Sequence, residues 1–204
     1  MDLFKAMTEM RAMRRLKPDP VPEAVIMEVV RYATHAPSGI NAHNIRYIVI
    51  RDADVKRQIA TLYRAAWEQY RSADRSVPAG QTADTVARTN RAIEWQVDHL
   101  HEAPILLFPA LSGGRPALRH PAYGRAVNGQ VWVAVQNLML ACRALGLGAT
   151  ITTLHLAFED EIDRIPGVSA DSATFAMIPI GYPTGRFGPT RFVPPETAIA
   201  WDRW

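Results

Sequence analysis

The stretch Asn128–Leu154, NGQVWVAVQNLMLACRALGLGATITTL, decides how this 204-residue chain is read. Val131, Val135, Leu138, Met139, Cys142 and Leu145 recur at three- and four-residue spacing, which marks a helix with a wide buried face. Gly146 and Gly148 release that helix, and Ala149–Leu154 (ATITTL) predicts a strand. Nearly every position is apolar or small, so the helix is expected at the centre of the fold. The threonines beyond Gly148 set polar groups and backbone where a ligand can meet them.

Upstream, residues 1–16 predict an amphipathic helix that stops before Lys17-Pro18, because proline disfavours helix in the residue before it. Pro22 and Glu23 open a second helix with Val25, Ile26, Val29, Val30 and Ala33 as its buried face. Arg46–Arg51 (RYIVIR) predicts a strand too continuously apolar for a sheet edge. Asp54–Tyr70 follows as a helix with Val55, Ile59, Leu62, Ala66 and Trp67 on one side. Residues 71–84 read as a mobile excursion, and a further helix runs to Leu100. Ile105–Pro109 predicts a second buried strand, and Leu111–Arg125 a loop. Downstream, Phe158–Ile165 predicts a short acidic helix and Ala173–Ile180 a third core strand. The tail from Arg186 ends in Trp201-Asp202-Arg203-Trp204, too apolar to leave in water, so it is expected to pack on something, a partner subunit being the natural candidate.

The chain has 48% apolar residues, a net charge of +3 and one cysteine. That composition predicts a single globular domain over residues 1–204. The arginines are dispersed, which argues against nucleic-acid binding. Cys142 reads as a small buried hydrophobe, so neither an internal disulfide nor a cysteine-rich metal site is expected. No leader and no twenty-residue apolar span is visible, so a soluble cytoplasmic protein without a membrane segment is expected. His99 and His101 lack metal-ligand spacing, and no metal is expected there.

Three arginines, Arg11, Arg14 and Arg15, crowd the first predicted helix end. They read either as a solvated basic face or as a phosphate clamp, since guanidinium forks suit phosphate oxygens. Ala36–Asn41 (APSGIN) reads either as a plain connection or as a loop whose amides cradle an anion or the polar edge of a planar ring. The chain holds no GxGxxG loop after a first strand, no Walker A sequence and no GxSxG elbow. The sequence therefore predicts an α+β domain with candidate anion-binding arginines at both ends of the chain and few obvious acid–base residues. Such a shortage fits chemistry carried by a cofactor.

Taken together, RAMRRLKPDPVP (11–22), APSGINAH (36–43), VQNLMLACRALGLGAT (135–150), IPIGYP (178–183) and GPTR (188–191) resemble the FMN-dependent nitroreductase family, in order and from about residue 8 to the C-terminus. The resemblance implies a mixed central sheet flanked by helices in an intertwined homodimer, with residues 186–204 as an arm packing on the partner and residues 65–100 as a variable, lid-like excursion. It implies FMN at the subunit interface and a ping-pong reaction. NADH or NADPH gives a hydride to flavin N5, and a small organic acceptor such as a nitroaromatic or quinone then takes it. Two alternatives stand beside this reading: an FMN-binding storage or sensing protein without turnover, and specialised flavin chemistry such as reductive dehalogenation or ene reduction.

By the same resemblance, Arg11, Arg14 and Arg191 match the basic positions that hold the flavin phosphate. Ala12 stands where serine is usual, leaving a backbone contact. Pro37, Ser38, Gly39 and Asn41 match the loop that the other subunit supplies to the ring, Asn41 being able to donate and accept at its polar edge. Thr152, Thr153 and Leu154 match the strand near N5, where a backbone N–H of Thr153 or Leu154 is the expected donor. The family's glycine and glutamate there are absent. His43-Asn44-Ile45 replaces the usual Gln-Pro-Trp, and His43 is either a proton donor or a packing and hydrogen-bonding residue.

Overall fold

In the computed structural model, which describes residues 1–73, 80–121 and 123–204, Asp2 accepts hydrogen bonds from the N–H groups of Phe4 and Lys5 and caps a short first helix, α1 (Leu3–Glu9). The helix expected to reach residue 16 ends there. Residues 11–17 run extended instead, because other elements take up their backbone groups. Met13 N–H donates to the Ala149 carbonyl (2.9 Å), Lys17 N–H donates to the Tyr182 carbonyl (2.7 Å), and Leu16 bridges Pro183. Tertiary pairing overrides local helical periodicity along this arm.

Helix α2 (Glu23–Thr34) buries Ile26, Val29 and Ala33, as its spacing predicts. A 3-10 turn over Gly39–Asn41 leads to strand β1 (Ile45–Ile50). Asp52 caps α3 (Ala53–Ser72), and Thr82 caps α4 (Ala83–His99). The excursion expected between them narrows to residues 73–82, of which 74–79 lie outside the described residues. Strand β2 (Ile105–Leu111) is buried along its whole length. The loop expected over 111–125 instead begins in β2, contains a one-turn helix α5 (Arg115–Leu118) and ends in the first turn of α6 (Gly124–Ala144).

Helix α6 buries Val131, Val135, Leu138, Met139 and Cys142. Leu145, expected on that face, caps the helix and is exposed. Gly146 takes φ 77°, and its N–H donates to the Arg143 carbonyl (3.2 Å), while Leu147 N–H donates to that of Cys142 (2.8 Å). This is the glycine-terminated Schellman stop. The strand expected over 149–154 shrinks to β3 (Gly148–Ala149), with an isolated bridge between Thr152 and Met177. After a 3-10 turn at Leu154–Phe158 comes α7 (Glu159–Arg164). The single strand expected over 173–180 is two strands, β4 (Ala173–Thr174) and β5 (Ile178–Gly181). Ala110 pairs Thr174 while Leu107 pairs Ile178, so one extra residue bulges between them.

The main path of the sheet runs β1-β2-β5-β3, with β4 also on β2. Every pairing among the described residues is antiparallel, where a mixed sheet was expected. The helical pair α3–α4 returns the chain to the end of the sheet it left, so β1 and β2 oppose. Strand β5 then inserts between β2 and β3, which point the same way. This order also puts β1 at an edge among the described residues, against the reading of RYIVIR as internal.

Alternation along β2 sorts the core into two layers. Ile105, Leu107 and Leu111 face α2 and α6, whereas Leu106 and Phe108 face Ile59, Tyr63 and Trp67 of α3. The tail carries a 3-10 turn at Pro195–Thr197 and stays open on its own chain, with Trp201 82% and Trp204 112% exposed. No described helix is long and apolar enough to cross a membrane.

Candidate functional site

Gly148 makes the site possible. A Cβ at that position would lie 3.0 Å from each of Leu16 Cδ2, Met13 Cβ and Pro183 Cβ. The bare backbone lets the N-terminal arm lie against β3. With Met13 and Leu16 turned inward, Arg14 is half-buried at the mouth of a cleft of about 190 Å³ whose floor is Thr150–Leu154. Burial pulls the Arg14 guanidinium below its ordinary pKa, against a smaller opposing effect of Tyr63. It has no carboxylate partner among the described residues. A half-buried, unpaired cation is costly unless an anion or strong acceptor joins it.

The cleft wall comes from α3 and α4, and sequence reading missed most of it. Tyr63, Trp67 and Tyr70 line it at helical spacing, with Gln96 behind. The Tyr63 hydroxyl lies 2.9 Å from Thr152 Oγ1 and accepts from Gln96 Nε2 at 3.3 Å. Burial raises the Tyr63 pKa, so the phenol is neutral at ordinary pH. Trp67 Nε1, Gln96 Oε1 and Thr150 Oγ1 are buried without a hydrogen-bond partner. The aromatic recurrence at 63, 67 and 70 was the available signal. Leu154 N–H makes only a long 3.5 Å contact to Thr152 Oγ1, and Thr153 N–H has no partner among the described residues. Thr153 N–H is therefore the free donor of the pair at this edge.

Arg11, Ala12 and Arg191 are exposed. The two arginines are drawn toward one end of α1. Thr190 N–H and Oγ1 both donate to the Thr8 carbonyl, at 2.8 and 3.2 Å, which sets Arg191 beside the segment that carries Arg11. Arg15 goes elsewhere, with its guanidinium 5.7 Å from the Trp95 ring centroid.

Pro37, Ser38, Gly39 and Asn41 are not brought to this cleft within one chain. Ser38 and His43 line a separate hollow with Ala33, Ala36 and Tyr47, next to the layer of α2. Gly39 N–H donates to Gln130 Oε1 (3.1 Å) and His43 N–H to Ser38 Oγ (3.2 Å). Ile40, Asn41 and His43 take φ of 50°, 59° and 45°, and Ile40 is fully exposed at 102%. A β-branched residue held left-handed costs on the order of 1–3 kcal/mol and concentrates at ligand-contacting segments.

His155, three residues beyond Thr152, is fully buried and its pKa is pushed down to about 4 by burial. Its Nε2 lies 3.4 Å from Thr174 Oγ1, which donates to Asp163 Oδ1 (2.9 Å), and Asp163 pairs with Arg115. This polar chain was not foreseen. His99 Nδ1 donates to the Trp95 carbonyl (2.8 Å), its ring stacked on Trp95. No group of metal-ligating side chains occurs among the described residues.

The sequence pattern of the nitroreductase family matches residues 7–182. An NADH dehydrogenase of Thermus thermophilus is 28% identical over 214 residues, spanning 98% of this chain and 96% of the relative. An iodotyrosine deiodinase of Nematostella vectensis is 26% identical over 185 residues, spanning 89% of this chain and 67% of its own. Among solved structures, an oxidized iodotyrosine deiodinase bound to FMN and 3-iodo-L-tyrosine superposes over 100% of both chains with TM-score 0.76 at 22% identity. A nitroreductase with bound FMN from Desulfitobacterium hafniense does so over 100% of both with TM-score 0.71 at 18% identity.

Proposed function

The chain belongs to the nitroreductase family, and on that premise we propose that it is an FMN-dependent oxidoreductase whose site is completed by a second copy of the chain. The observation that carries this reading is Arg14, an unpaired, half-buried guanidinium sharing one cleft with the Thr150–Leu154 backbone. Trp67, Gln96 and Thr150, which line the same cleft, each keep a buried polar atom without a hydrogen-bond partner, and that mixture of donor and acceptors suits a ligand with both donor and acceptor edges, as a flavin ring has.

Arg11, Arg14 and Arg191, with the Ala12 backbone, would hold FMN at its anionic end. Thr153 N–H is the donor available to the ring nitrogen beside Thr152 and Leu154. When bound, FMN supplies the redox chemistry, accepting hydride from NADH or NADPH and passing it to a small organic acceptor such as a nitroaromatic or quinone in ping-pong order. The chain's own groups bind, orient and exclude water, as expected where a cofactor reacts. The Pro37–Asn41 loop sits on the other side of the sheet from the cleft, so its contribution is assigned to the partner's site. The open tail with Trp201 and Trp204, and exposed Met27 and Tyr32 of α2, supply apolar surface for a homodimer.

Anaerobic mixing of the FMN-loaded protein with NADH or NADPH tests the reading. Bleaching of the flavin band, and its recovery on adding an acceptor, is the expected result. A loaded protein that neither nucleotide bleaches is an FMN-binding protein without turnover. A second reading, reductive dehalogenation, draws support from the deiodinase relatives. Iodide release from 3-iodo-L-tyrosine by the reduced protein would favour it, and no release would remove it.

A further inference from the structure

Arg143 on α6 lies outside the cleft and has no part in the binding roles above. It is only 9% exposed, although it is charged and sits in the last turn of an apolar helix. Its Nη2 ion-pairs with Glu9 Oε2, at the last residue of α1. Its Cζ lies 4.1 Å from the ring centroid of Phe187, on the segment that follows β5. One guanidinium thus joins three segments: the central helix, the N-terminal arm and the C-terminal arm.

The positions of the partners give this contact its meaning. Glu9 precedes Arg11 by two residues, and Phe187 precedes Arg191 by four. The Thr190–Thr8 bonds join the same two segments. Arg11 and Arg191 are themselves exposed, and no ion pair fixes either of them among the described residues. Their separation is therefore set by what holds their backbones: the Thr190–Thr8 bonds directly, and Arg143 through its contacts to Glu9 and Phe187. A planar guanidinium can take a carboxylate edge-on and an aromatic ring on its face at once; an ammonium cannot.

We infer that Arg143 is a positioning residue that fixes the spacing of Arg11 and Arg191, and through them the preference for a phosphorylated flavin over phosphate-free riboflavin. This rests on the reading of Arg11 and Arg191 as the phosphate clamp. A simply structural Arg143 would support both flavins equally, so the ratio of the two affinities separates the cases.

The whole 204-residue chain is loaded with FMN or with riboflavin and diluted, and the recovery of flavin fluorescence at equilibrium gives both dissociation constants. In Arg143→Met the FMN constant should rise roughly tenfold or more, the size expected when one charge-assisted contact is misplaced, while the riboflavin constant stays put. Arg143→Lys keeps a charge for Glu9 and loses the stacked plane, so it should recover part of the ratio. Should Arg143→Met not fold, Glu9→Gln and Phe187→Leu, at the periphery of the cluster, carry the same expectation. Equal weakening of both flavins, or an FMN constant that does not move, overturns the inference alone. A wild-type chain that binds riboflavin as tightly as FMN overturns the arginine clamp beneath it, and one that binds neither overturns the flavin reading itself.

Discussion

Replacing Gly148 with alanine should loosen the N-terminal arm and, with it, the hold on flavin. The added methyl would meet Leu16 Cδ2, Met13 Cβ and Pro183 Cβ, each at 3.0 Å. Two of these are Cβ atoms fixed to backbone, so no rotamer change relieves them. Only Leu16 Cδ2 can swing aside, and it lies in a packed region. Relief therefore requires the arm to shift by a few tenths of an ångström away from β3, straining the Met13–Ala149 and Lys17–Tyr182 hydrogen bonds. Overpacking of this kind costs about 1–3 kcal/mol, which for a chain of this length lowers Tm by roughly 2–12 °C. Arg14 lies between the displaced residues, so flavin affinity should fall alongside. Urea unfolding and FMN titration of the same preparation measure both. Gly188→Ala is the control, because nothing lies within 4 Å of its added Cβ. A Gly148→Ala variant as stable as wild type would refute the packing argument. A destabilised variant with unchanged FMN affinity would separate the arm from the site.

The other predictions concern single groups. Arg14→Met should weaken FMN binding by about 1.5–3 kcal/mol, the range for a bond to a charged group, while leaving unfolding free energy unchanged or higher, since an unpaired half-buried charge is removed; titration and melts of the flavin-free chain check the two halves. Arg191→Ala should show the same loss of affinity, and unchanged affinity would take Arg191 out of the site. Tyr63→Phe removes the partner of Thr152 Oγ1 and should cost about 0.5–1.5 kcal/mol of stability, read by urea unfolding. For His155 the sign follows from burial: its folded pKa, about 4, lies below the unfolded value near 6.5, so the unfolded chain binds the proton first. Stability from keeping His155 neutral is complete above pH ~6.5 and is lost as pH falls from there toward about 4. Asp163, pushed up by burial, acts with the opposite sign. Comparing wild type with His155→Leu at pH 7, 6 and 5 isolates the histidine, and parallel profiles would contradict its assignment.

Helical content was legible because periodicity reports burial directly. The faces of α2, α3 and α6 follow from Ile26 and Val29, Ile59 and Trp67, and Leu138 and Cys142. The glycine stop after α6 was legible too, since only a residue without a Cβ sits comfortably at φ 77°. Position 148 has a different logic. Its need for glycine comes from Met13, Leu16 and Pro183, residues far away in sequence. The same distance hid the extended arm, whose hydrogen bonds go to Ala149 and Tyr182 and override a helical pattern. The split of residues 173–180 was hidden because a bulge leaves no mark in an apolar run. Of the candidate site, Arg14 and Thr152–Leu154 meet in one cleft. Tyr63 and Gln96 went unseen because helix spacing says which face is buried and does not say what lies opposite. The Pro37–Asn41 loop stands apart from that cleft in the single chain, because it follows α2 on the other layer of the sheet.

Visible absorption of the purified 204-residue chain during FMN titration tests the central claim most directly. Saturable uptake of one FMN per chain, with flavin bands shifted from those of the free cofactor, is the predicted result. A protein that is colourless as purified and takes up no added FMN would contradict it.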